Sequence, residues 1–194
     1  IKKSDILWSE ERIKDYLKKN LKEKRFKHSI GVSKTAESLA EKYGEDSDKA
    51  RVAGLLHDIA KNMKDEEIIS VVRNAGIEID YVFKSNPNLM HGLAGAVICR
   101  DVVGVTDKDI LGAVEFHTTG KADMSMLEKI ICLADYIEPS RNFEGVDDLR
   151  KTAQENIDKA LLMALDGTIK FVLEKKQLLH YKTVEARNYL ILNK

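Results

Sequence analysis

Apolar residues recur along this chain with the spacing of helices rather than strands. Ser9-Glu10-Glu11 opens the first predicted helix, with Ser9 as N-cap and acids in the first turn. Ile13, Leu17 and Leu21 then fall on one face. A second helix is predicted from about Phe26 to Tyr43, with Ile30, Ala36, Leu39, Ala40 and Tyr43 inward and Gly44 as its stop. A third starts near Ser47 and carries Ala50, Ala53, Gly54, Leu55, Leu56 and Ile59. Asp65-Glu66-Glu67 opens a fourth; Asn86-Pro87-Asn88 reads as a loop, with helix resuming at Leu89. Asp107 to His117, Ser125 to Ile137, Val146 to Asn156, Asp158 to Gln177 and Thr183 to Leu192 complete the series. Only Ile77 to Val82 hints at an extended piece. The expectation is an all-α fold, a single globular helical bundle over residues 1–194. Its core would lie at about residues 20–140, completed by C-terminal helices at about 146–192.

Composition narrows this picture. With 194 residues, 43% of them apolar, the chain can bury one core and is not a disordered segment. Only 2 Pro and 11 Gly punctuate it, which favours long helices. Lys+Arg and Asp+Glu both number 32, a balance that argues against a general nucleic-acid binder. A small phosphorylated ligand needs only a few local cations. No apolar run approaches the roughly 18 residues of a membrane span. Ile1 to Trp8 carries Lys2, Lys3 and Asp5 and does not read as a signal peptide. Cys99 and Cys132 sit in apolar runs and read as free thiols in a reducing cytoplasm.

The chemistry lies in unusual polar residues. Of 5 His, four keep odd company: His28, the pair His57-Asp58, His91 and His117. Asp135 stands in Ile130-Ile131-Cys132-Leu133-Ala134-Asp135-Tyr136-Ile137, where nearly everything else is apolar. A buried carboxylate costs several kcal/mol unless paired or bound to a cation, so something positive should sit beside it. Neutral imidazole with carboxylate suits Zn, Fe, Mn or Co, and the lack of thiolates disfavours a structural zinc knot. For any one residue the ordinary alternative stands: a satisfied core histidine, or an aspartate that caps a helix or pairs with arginine. Recurrence at five places favours a metal site. His180, between Leu179 and Tyr181, reads as a packed histidine, and Trp8 as a core anchor. Gly92, Ala94, Gly95 and Ala96 read as a close helix contact, without the strand-before-helix context of a phosphate loop.

The order His28 … His57-Asp58 … Asp135 resembles the H…HD…D signature of the HD-domain metal-dependent phosphohydrolases, and His91 and His117 match the subset that binds two metals. The strings Arg25-Phe26-Lys27-His28-Ser29, Gly54-Leu55-Leu56-His57-Asp58-Ile59-Ala60-Lys61, Glu115-Phe116-His117-Thr118-Thr119-Gly120 and Ala134-Asp135-Tyr136-Ile137-Glu138-Pro139-Ser140-Arg141 are similar to those of the bacterial YqeK-type family of symmetrical diadenosine-tetraphosphate hydrolases. The resemblance covers about residues 10 to 190 and implies a helical bundle of the HD-domain type. It implies that His28, His57, Asp58 and Asp135 hold one metal, and that Asp58 bridges to a second held by His91 and His117. The ions would be divalent transition metals, iron by the family's habit, with manganese or cobalt able to serve. The implied reaction is cleavage of diadenosine tetraphosphate to two ADP by a hydroxide bridging the metal pair.

A tetraphosphate needs further cations. Lys61, four residues after His57, is expected on the same helix face and in a catalytic and phosphate-binding role, with Asp58 as the other catalytic residue. Arg25 and Arg141 are candidate phosphate clamps, and Thr118 a hydroxyl donor beside His117. Two other readings remain: another HD phosphohydrolase acting on nucleotide mono- or triphosphates or a cyclic dinucleotide, and a metal-containing nucleotide sensor. Lys61-Asn62 stands where stringent-response hydrolases carry an acidic pair, and no Gly-Tyr-Pro string occurs. The expected partner is a small nucleotide, with no nucleic acid and no membrane, and a homodimer is left open.

Overall fold

Polar caps decide where most helices of this protein begin. The computed structural model describes residues 5–193, so Lys2 and Lys3 lie outside them. Ser9 Oγ accepts from the Arg12 amide (3.2 Å) at the head of α1 (Glu10–Asn20). Helix α2 (Glu23–Tyr43) ends at Gly44, whose φ of 72° is the left-handed stop that glycine adopts at no steric cost. Asp46 caps α3 (Ser47–Leu56), and α4 (Asp65–Asn74) follows. Asp107 caps α7 (Lys108–Phe116), and Ser125 and Glu128 form a reciprocal capping box on α8 (Met126–Ile137). Helices α9 (Val146–Glu155), α10 (Ile157–Glu174) and α11 (Tyr181–Leu192) follow.

Two segments depart from expectation. Ile77 to Val82 forms no extended piece; instead the Asp80 carboxylate accepts from the amides of Val82 and Phe83, both at 2.9 Å, and starts the short helix α5 (Tyr81–Ser85). After Asn86, residues Pro87–Met90 make a 3-10 turn, so α6 (His91–Ile98) starts at His91 rather than Leu89. Among the described residues the only β pairing is an isolated bridge between Ile6 and Val105.

Helix α2 lies along α3 and α8, α7 packs on α3, α6 and α8, and α10 on α8, α9 and α11. Leu17, Leu39, Leu55, Ile110, Ile130 and Leu133 are fully buried in one cluster. Leu149, Ala153, Ile157 and Ala160 from α9 and α10 join it. Cys132, Leu161, Leu165, Ala186 and Leu190 form a smaller cluster linking α8, α10 and α11. Cys99 and Cys132 are buried and free, and burial pushes the Cys132 thiol up to about 12. No helix among the described residues is long and apolar enough to cross a membrane.

His180 is a packing residue, as expected. It is 2% exposed, its ring centroid lies 4.4 Å from that of Phe83, and its Nε2 lies 3.0 Å from Asp80 Oδ2. Trp8 rests edge-on against Tyr16 and carries the Arg12 guanidinium over its face.

The contact of α2 with α3 depends on Gly54. A Cβ there would lie 2.7 Å from Ser33 Cα and 2.9 Å from Ser33 N, both backbone atoms that cannot swing aside. Gly54→Ala therefore destabilises the fold by about 1–3 kcal/mol, the usual range for overpacking. Urea unfolding measures it, and an unchanged midpoint would show that the two helices separate freely.

Candidate metal centre

Four histidines reach one buried point from four different elements. His28 projects from α2 with the core residues Val32 and Ala36 that follow it on the same face. His57 and Asp58 follow the last residue of α3, His91 begins α6, and His117 follows the last residue of α7. All four are 5% exposed or less, and Asp58 is 2% exposed.

Local backbone chemistry aims three of these rings in the same way. Nδ1 of His57 donates to Gly54 O, Nδ1 of His91 to Asn88 O and Nδ1 of His117 to Val114 O, each at 2.7 Å and each three residues back. A carbonyl can only accept, so Nδ1 carries the hydrogen and the neutral ring presents a bare Nε2. At His57 and His117 the bond also satisfies one of the carbonyls left open at a helix end. The fourth ring has a different anchor. His28 Nδ1 lies 2.9 Å from Glu138 Oε1, on a carboxylate that is 1% exposed. Burial alone would raise the Glu138 pKa, but bonds from Ser140 and His28 bring it below the usual value, so it is an ionised acceptor.

The four Nε2 atoms and two carboxylates then separate into halves. In one, His28 Nε2 lies 3.3 Å from His57 Nε2 and 2.9 Å from Asp135 Oδ1, and His57 Nε2 lies 3.3 Å from Asp58 Oδ2. In the other, His91 Nε2 lies 3.0 Å from His117 Nε2 and 3.1 Å from Asp58 Oδ1. Two donors about 2.1 Å from one ion, at about 90–109° to each other, lie about 3.0–3.4 Å apart. These spacings fit such a sphere in both halves, and Asp58 gives one oxygen to each.

Bare lone pairs and carboxylates at this range repel, so the centre requires positive charge. Burial opposes charge on His57, yet the Asp58 carboxylate, and after it Asp135, shift its pKa upward. His91 is held down to about 4, chiefly by burial, and stays neutral as a ligand must. Both aspartates lie well below the usual carboxylate range: histidines overcome the burial of Asp58, and His28, His57 and Arg141 that of Asp135. The Asp135 side chain, expected to be buried, is 21% exposed.

The expected phosphate cations surround this cluster. Arg25 Nη1 pairs with Asp58 Oδ2 at 2.8 Å, and Arg141 pairs with Asp135 Oδ1 while its Nε donates to Asp135 O at 2.6 Å. Lys61 Nζ sits 3.4 Å from His91 Nδ1, and burial, then Arg25 and Arg141, lower its pKa. Lys61 does not reach this position along the helix face expected of it. The α-helix ends at Leu56, so Lys61 and His57 share no α-helical face. Tight turns carry the chain onward, with Ile59 N donating to Leu56 O and Lys61 N to Asp58 O. Thr118 Oγ1 lies 3.1 Å from His117 Nε2, whereas Thr119 is spent on Gly120 O and Gly120 (φ 65°) stops the turn. Lys22, Lys24, Arg25 and Arg141 line a pocket of about 620 Å³ that opens at His28.

Glu138 was not singled out as a site residue. Its signal is the one that exposed Asp135: an acid three residues further on, at the end of an apolar helix, where i and i+3 share a face. Arg150 is a second such residue. Its guanidinium donates to the backbone oxygens of Ile137, Glu138 and Arg141 at 2.8–3.0 Å and pins the turn that carries Glu138 and Arg141.

Fold and centre together define a helical protein with a His/Asp cluster of the kind that holds divalent metal. The chain belongs to the HD domain family, whose model matches residues 25–140. It is 42% identical to a symmetrical bis(5'-nucleosyl)-tetraphosphatase of Halalkalibacterium halodurans, over 91% of this chain and 94% of that one. The counterpart of the same description in Bacillus subtilis is 39% identical over 90% of this chain and 94% of its own. The crystal structure of a "predicted HD superfamily hydrolase involved in NAD metabolism" from Clostridium acetobutylicum superposes with a TM-score of 0.95 at 56% identity, covering 96% of this chain and 99% of that one.

If Glu138 aims His28, Glu138→Ala weakens metal binding about 10- to 100-fold, as loss of such an orienting carboxylate does elsewhere. His180→Ala leaves it unchanged. Competition against a chelator measures both, and wild-type affinity in Glu138→Ala would remove the anchor.

Proposed function

We propose that this chain, acting as one HD domain, hydrolyses diadenosine tetraphosphate symmetrically to two ADP with two divalent metal ions. The observation that carries the reading is the division of the centre by Asp58, one carboxylate oxygen in each half. His28, His57, Asp58 and Asp135 would hold the first ion, and Asp58, His91 and His117 the second. The nitrogen and oxygen donor set suits iron, with manganese or cobalt as substitutes. When bound, such a pair supplies an acidified water as nucleophile and neutralises charge on the reacting phosphoryl group.

The protein's own residues do the rest. Arg25 and Arg141 flank one half of the centre and Lys61 and Thr118 the other, so phosphates on both sides of the reacting phosphorus meet a cation or a hydroxyl. Both arginines now pair with Asp58 and Asp135. Ions on those carboxylates would take over that charge and leave the guanidinium forks for phosphate. Lys61 meets negative charge building on the departing phosphate oxygen. The substrate is a small nucleotide. The buried free thiols Cys99 and Cys132 are in keeping with a reducing cytoplasm.

In heavy-oxygen water the enzyme puts one label into one ADP per turnover, read by chromatography and mass spectrometry. ATP plus AMP as the main products would mean an asymmetric cut and end this reading. Asp58→Ala abolishes turnover and lowers metal content, whereas Arg141→Ala lowers turnover and keeps the metal. Near-wild-type activity in Asp58→Ala would remove the bridge.

A further inference from the structure

Arg141 and Phe143 border a second hollow as well as the cationic pocket. It measures about 630 Å³, the size of a small-molecule site, and lies between α8, α9 and α10. Tyr136, the neighbour of Asp135 in α8, forms one wall, so the hollow begins one residue from the metal centre. Phe143, Met163 and Phe171 line it yet remain 44%, 38% and 55% exposed, an unusual loss of apolar burial gathered in one place.

Gly167 is the second observation. It lies in the interior of α10, where glycine weakens a helix relative to alanine. Its φ is not positive, and a Cβ added there meets nothing within 4 Å. Neither backbone conformation nor packing requires glycine. What its missing side chain provides is open room in the hollow.

We propose that this hollow is a nucleoside subsite. It takes the base and sugar of a nucleotide whose phosphates lie in the cationic pocket, with Arg141 at the junction. Flat aromatic faces and a methionine suit a purine, which stacks on π-surfaces without needing a fixed set of polar partners. The inference rests on the nucleotide reading above and extends it to the residues that would hold the base.

Calorimetric titration of the metal-loaded protein with ADP, and with inorganic pyrophosphate as a probe lacking the nucleoside, tests it. Gly167→Leu and Phe171→Ala each weaken ADP about tenfold, and leave pyrophosphate affinity and metal content unchanged. Gly167→Ala raises the melting temperature by about 2 °C and still weakens ADP. A glycine with a purely structural role would not move the two in opposite senses. Wild-type ADP affinity in Gly167→Leu and Phe171→Ala, or no ADP binding by the parent protein, overturns the subsite. Failure of the parent protein to cleave diadenosine tetraphosphate overturns the proposed reaction instead; loss of ADP affinity in the variants would then still identify a nucleoside site.

Discussion

A hydrogen bond on the far nitrogen of each imbedded imidazole organises the centre. Gly54, Asn88 and Val114 offer carbonyls and Glu138 a carboxylate, and none of these acceptors can give up a proton. In the neutral ring the opposite nitrogen is thereby the one left, with its lone pair, to meet a ligand. Four such lone pairs and two aspartates within a few ångströms would drive the helices apart if nothing positive lay among them. The surrounding packing can be read as the means of holding that arrangement together. Gly54 lets α3 lie against α2, and Gly92 approaches the backbone oxygens of Val114 and Glu115, so α6 and α7 bring His91 and His117 within reach of each other.

Charge around the centre is balanced by residue count. Asp58, Asp135 and Glu138 supply three carboxylates, and Arg25, Lys61 and Arg141 three cations. A pair of divalent ions would turn this near-neutral group into a strongly positive one, matched to a substrate bearing four phosphates. The arginines suit both conditions because a guanidinium fork accepts carboxylate or phosphate oxygens in the same geometry.

Much of this could be seen in the sequence, for a definable reason. Histidine and aspartate inside apolar strings are costly, and the structure brings all six expected residues to one point. Helix ends were legible at caps and glycines such as Ser9, Gly44 and Ser125. What failed depended on contacts distant in sequence or on fine backbone geometry. Helical periodicity cannot register that α3 ends at Leu56 and passes into tight turns, so Lys61 was brought to the right place by the wrong route. Asp80 converts an extended-looking stretch into a helix start through two amide bonds that hydrophobic alternation does not encode. Glu138 precedes a proline and a serine and resembles a turn residue until His28 is found beside it, 110 positions away in the chain.

That separation has a topological consequence. Residues from α2 through the turn after α8 meet at one point, which closes most of the chain into nested loops. Closing a loop of this length costs about 4–5 kcal/mol of chain entropy, and a link across it removes that freedom from the unfolded chain. An ion held by His28 and Asp135 would be such a link, made of coordination bonds rather than sulfur and reversible with ion supply. In a protein whose two thiols are buried and unpaired, the catalytic centre would also serve as the cross-bridge of the fold.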